Sequence, residues 1–98
     1  MLILRLLSDE PMYGYQISQE LAARSDGYFE MKEGLLYPLL HRLQRDGLVE
    51  GKWRAASGER RRRYYTITRA GRQALVEQTR EWQMFIHKLQ GVLAGANP

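Results

Sequence analysis

From Arg69 to about Leu93 the chain reads as one uninterrupted helix, with Thr68 placed to cap its start. Along it Leu75, Trp82 and Leu89 recur every seven residues, with Phe85 and Val92, and Ile86 and Leu93, following at three and four. A helix of about 25 residues is about 37 Å long at 1.5 Å per residue. The 98 residues of this chain leave too small a body to cover it. A seam carrying Leu75, Trp82, Phe85, Ile86, Leu89 and Val92 therefore calls for a partner helix, and a homodimer is the simplest source of one.

The preceding residues divide at Pro and Gly. Residues 1 to 8 form a short apolar helix that stops before Pro11, and a second helix is expected from about Met12 to Arg24, closed by Ser25-Asp26-Gly27. The third runs from about Gly34 to Asp46, with Pro38 in its first turn. Leu36, Leu39, Leu40 and Leu43 form its core stripe, and Tyr37, His41, Arg42 and Arg45 lie on the other face. Gly47 ends it. Two β-rich runs, Leu48 to Trp53 and Arg63 to Thr68, bracket Ala55 to Glu59 and read as a hairpin with a long basic tip. The expected fold is mainly α with a small β-hairpin: a winged helix-turn-helix over residues 1–68, then a long C-terminal dimerisation helix over 69–98.

Charge is concentrated on the hairpin. Lys52, Arg54, Arg60, Arg61, Arg62, Arg63, Arg69 and Arg72 face only Glu59 between residues 52 and 72, whereas the whole chain carries +4. A basic focus on a slightly acidic body points to a local polyanion contact, or to a solvated charge run. Cysteine is absent, which removes disulfides, thiolate metal sites and a cysteine nucleophile and fits the cytoplasm. No run approaches a membrane span, and the apolar start lacks the basic flank and cleavage site of a signal peptide.

Catalysis fails on inventory. His41 and His87 stand on separate helices, no serine sits in a nucleophile elbow, and no glycine pattern follows a strand as phosphate loops require. No metal, cofactor or catalytic residue is assigned. A nucleic-acid reading uses the residues better. The second helix of a helix-turn-helix enters the major groove by its N-terminus, which here offers Lys32, Glu33, Leu35 and Tyr37, then His41, Arg42 and Arg45. Tyr13 and Tyr15 begin the preceding helix, where phosphate is commonly held, and Arg60, Arg61, Arg62 and Arg63 reach phosphates or the minor groove. Tyr15 and Tyr37 have half-buried packing as their alternative, and Arg63 reads equally as a structural ion pair.

Pro11-Met12-Tyr13-Gly14-Tyr15-Gln16-Ile17, Glu33-Gly34-Leu35-Leu36-Tyr37-Pro38-Leu39-Leu40-His41-Arg42-Leu43, Asp46-Gly47-Leu48-Val49 and the run from Gly58 to Gly71 together resemble the PadR family of bacterial transcriptional regulators. The resemblance covers nearly the whole chain. It implies a winged helix-turn-helix homodimer on double-stranded operator DNA, usually a repressor. The single C-terminal helix is similar to the short subfamily, some of whose members bind a small planar aromatic ligand between subunits beside a tryptophan, here Trp82. Two departures stand out. Family members usually carry further residues before the first helix, and Glu59 interrupts the usual Gly-Arg run of the wing. Rival expectations are a winged-helix module that docks an acidic protein, and a drug-sequestering dimer without operator binding.

Overall fold

The computed structural model describes residues 1–55 and 61–94. Its elements run α1 (Leu2–Leu7), β1 (Met12–Tyr13), α2 (Gly14–Arg24), α3 (Glu33–Arg45), β2 (Val49–Ala55), β3 (Arg61–Ile67) and α4 (Arg69–Ala94). The expected order of helices, wing and long helix is present.

α1 is apolar nearly all round because it is the floor of the core: Ile3, Leu4, Leu6 and Leu7 are buried. Ile17 and Leu21 of α2 and Leu36 and Leu40 of α3 close over it. The leucine stripe of α3 splits by depth, since Leu39 and Leu43 pack against the core only partly buried. Gly47, at φ +75°, turns the chain out of α3, and the Leu48 amide returns to the Leu43 carbonyl at 2.9 Å.

Two expectations are corrected. Met12 and Tyr13 do not begin α2; they pair antiparallel with Tyr65 and Tyr64, making a three-stranded sheet of order β1-β3-β2. Met12 is fully buried there, and its burial against the sheet outweighs one more helical turn. The Tyr13 amide donates to the Gln16 side chain at 3.3 Å, and α2 starts at Gly14, two residues later than expected. Pro38 also lies beyond the first turn, because α3 begins at Glu33 and makes it the sixth helical residue. It leaves the exposed Gly34 carbonyl without its helical donor. The wing is longer than its β-forming runs suggest, with Val49↔Ile67 through Ala55↔Arg61 all in register.

α4 is fastened to the body through its N-terminal turns. The Gly71 amide donates to Thr68 Oγ1 at 3.0 Å, and the same hydroxyl donates to the Gly47 carbonyl at 2.7 Å. Gly71 is buried against Leu48 and Ile67, and Ala74 and Leu75 meet the core. Every residue from Arg80 to Ala94 is exposed. The chain is accordingly elongated, 64 Å by 28 Å by 22 Å.

Candidate nucleic-acid interface

Three separate segments converge on one concave surface. On α3, Glu33, Tyr37 and His41 follow one another at four-residue steps and so share a stripe. Strand alternation places Gly51 and Trp53 on the same face as their register partners Tyr65 and Arg63, with Arg61 next along. Tyr13, Gly14 and Tyr15 at the start of α2 complete the wall. Together with Arg62 they line a cleft of about 720 Å³ between α3 and the wing.

Among the described residues, three arginines and the one carboxylate of Glu33 line the cleft. None of the three is in an ion pair among the described residues; the pairs there join Arg5 and Arg24 to Asp9 and Arg24 to Glu20, at the ends of α1 and α2. The wing arginines lie over aromatic rings instead. Arg62 stands 4.3 Å from the Tyr13 ring centre, and Arg61 and Arg63 stand 5.8 and 5.6 Å from that of Trp53. Outside the cleft, Arg54 covers Tyr64 at 5.0 Å. Stacking orders a guanidinium without neutralising it. The cleft thus presents positive charge that is held in place and still available to an anion.

Tyr37 is held by its neighbours. Its hydroxyl lies over Gly14, where a Cβ would come within 2.6 Å of the oxygen. Partial burial pushes its phenol above the ordinary value of 10.0, and the charges of Glu33 and Tyr65 act in the same direction. It therefore stays a neutral hydrogen-bond donor near pH 7.

Eight of the residues expected from sequence meet here: Tyr13, Tyr15, Glu33, Tyr37, His41, Arg61, Arg62 and Arg63. Lys32 lies in a shallow neighbouring groove with Tyr15 and Ser18, along the front of α2. Leu35 and Arg45 are exposed outside the cleft lining. Arg42 is turned away from the wing, and with Leu2, Phe29 and Trp82 it lines an apolar concavity of about 520 Å³ beside α1. Arg60 lies outside the described residues. Trp53 was missed, although even spacing from the buried Val49 would have placed it on the face of Arg63.

A second surface runs along α4. Leu75 packs against the body, but Trp82, Phe85, Ile86, Leu89 and Val92 are between 45% and 77% exposed. Trp82 and Phe85 meet edge to face at 5.6 Å. No helix among the described residues is long and apolar enough to cross a membrane.

Comparison with known proteins agrees with this arrangement. The sequence pattern of the transcriptional regulator PadR-like family matches residues 3–77. A transcriptional regulator of Mycobacterium tuberculosis is 37% identical over 89 residues, covering 91% of this chain and 79% of that protein. The crystal structure of a PadR-like transcriptional regulator from Bacillus cereus superposes with a TM-score of 0.81 at 36% identity, over 93% of this chain and 86% of the other. Bacillus subtilis PadR, solved in complex with operator DNA, shares the fold at a TM-score of 0.72 and 24% identity, over 80% of this chain and 43% of that one.

Proposed function

This chain belongs to the PadR-like family of transcriptional regulators, and on that premise we propose that it is a cytoplasmic homodimeric repressor whose α3–wing cleft grips palindromic operator DNA. In this reading residues 1–68 contact DNA and residues 69–98 hold two copies together. The observation that carries it is the set of three ring-stacked wing arginines, without an ion pair among the described residues, that line one cleft with Glu33, Tyr37 and His41 of α3. Phosphate contacts draw on such charge, and base readout in a helix-turn-helix uses a helix end beside it. The operator complex of Bacillus subtilis PadR supports the same use of the shared fold. The bare seam of α4 supports assembly: a two-fold dimer across it would present two α3 helices to half-sites roughly 34–36 Å apart.

One observation favours a ligand as well. Trp82 is 51% exposed at the edge of the apolar concavity formed with Leu2, Phe29 and Leu43. Its volume suits a small planar aromatic compound, and occupancy there would couple α4 packing to operator release.

Selection of duplexes from a random library, followed by titration at several salt concentrations, tests the main reading. The selected sites should be two-fold symmetric. Replacing Arg61, Arg62 and Arg63 by Ala should lower the salt slope by up to about 3 units, near one per lost phosphate contact. Failure to bind any duplex at low salt, with an acidic protein bound instead, would sink it.

A further inference from the structure

The wing carries an arrangement that charge alone does not explain. Trp53 is 57% exposed, yet two guanidinium groups of the neighbouring strand, Arg61 and Arg63, lie against its ring. Arg63 reaches there by crossing Gly51, where a Cβ would stand 2.6 Å from its Nε and 2.9 Å from its Cζ. Gly51 is therefore the bare floor on which this side chain lies. Arg63 also approaches the Tyr65 ring, 6.0 Å from its centre. The indole does little for the core, because the buried cluster ends at Val49 and Tyr65.

We infer that Trp53 and Gly51 are positioning residues that hold Arg61 and Arg63 as a pre-ordered pair fitted to a narrow, A·T-rich minor groove. The inference rests on the duplex-binding reading above. Arg61 and Arg63 are two residues apart on one face of β3, which separates them by about 6.6–6.8 Å along the strand. A narrow A·T minor groove concentrates negative potential along its floor and attracts inserted arginines. Stacked guanidinium groups enter it with their rotamers already restricted, so less ordering is left to do on binding. The wing would then read shape beside the major-groove site of α3.

The test uses the full-length protein and a duplex selected from a random library by the wild type. Its flanking base pairs are changed between A·T and G·C, and each affinity is measured at several salt concentrations. The wild type should favour A·T flanks. Trp53→Ala should reduce that preference by roughly 5- to 150-fold, as expected if two long side chains must be ordered afresh. Its salt slope should stay unchanged, because both charges remain. Trp53→Phe keeps a ring to stack on and should keep the preference. Gly51→Ala should displace Arg63 and behave like Trp53→Ala, with an unchanged circular dichroism spectrum. The inference is overturned if the wild type binds duplex without regard to its flanks, if Trp53→Ala weakens both duplexes equally, or if its salt slope falls. A wild type that binds no duplex overturns the DNA reading itself and this inference with it.

Discussion

The hydroxyl of Tyr37 occupies the space where a side chain on Gly14 would begin, 2.6 Å from the position of a Cβ. This contact joins α3 to the first turn of α2 at the base of the cleft. Gly14→Ala must displace the Tyr37 ring, at a cost of about 1–3 kcal/mol for overpacking. On the proposed reading, sequence-specific binding should fall more than binding to random duplex, because the displaced ring disturbs the end of α3 proposed to read bases while the wing charges remain. Denaturant unfolding and paired titrations measure the two effects. An unchanged specificity ratio would show that Tyr37 takes no part in readout.

Thr68 fastens α4 to the body through two hydrogen bonds of one hydroxyl, accepting from the Gly71 amide and donating to the Gly47 carbonyl. Thr68→Ala should cost about 0.5–2 kcal/mol, the range for a lost N-cap. Gly71→Ala should cost about 3 kcal/mol or more, because its Cβ would collide with the Leu48 backbone carbonyl, which cannot move as a side-chain end can. Gly91→Ala is the control. A Cβ there meets nothing within 4 Å, and the change should be neutral or stabilising by up to about 1 kcal/mol. Urea midpoints rank the three.

Phe85 and Leu89 are exposed on consecutive turns of the unpartnered half of α4. Burying such side chains contributes about 1.5–3 kcal/mol each. If the proposed dimer forms across this seam, Phe85→Glu combined with Leu89→Glu should give monomers by sedimentation, with the winged body still folded because neither residue belongs to its core. Operator affinity should drop about a hundredfold or more as two-site binding is lost. A double variant that stays dimeric would move the interface elsewhere.

Asp9 accepts hydrogen bonds from Arg5 at 2.7 Å and pairs with Arg24 at 2.9 Å, tying the end of α1 to the end of α2. The bond from Arg5, then that from Arg24, holds its carboxyl below the ordinary value of 3.8. A depressed folded-state pKa adds stability above the ordinary value and loses it as pH falls through the folded one. Asp9→Asn should therefore be slightly less stable than wild type at pH 7, the effect being small for an exposed pair. The gap should close as pH falls below 3.8. Thermal melts across that range check it, and a gap that widened on acidification would contradict the pairing.

Much of the fold was legible because its signals are local. The spacing of Leu36 and Leu40 marks the buried face of α3, and the heptads from Leu75 to Leu89 mark a helix longer than its body can cover. Gly47 and Thr68 declare a helix end and a helix start by their own backbone and side-chain chemistry. Charge density picked out the wing before any pairing was known. Each of these follows from the periodicity or capping of a single segment, and so needs no knowledge of where the rest of the chain goes.

What the tertiary structure alone decided is which side chains meet. Met12 and Tyr13 are too short a run to show a period, and only pairing with Tyr64 and Tyr65 makes them a strand. Arg42 and His41 are neighbours in sequence, yet 100° of helical turn sends one toward Trp82 and the other toward Trp53. Trp53 joins Arg63 because the register of β2 against β3 puts them side by side, and Gly51 matters because Arg63 lies across it. Register and helix rotation are set by burying the core as a whole, a balance summed over distant residues that no local window of sequence contains.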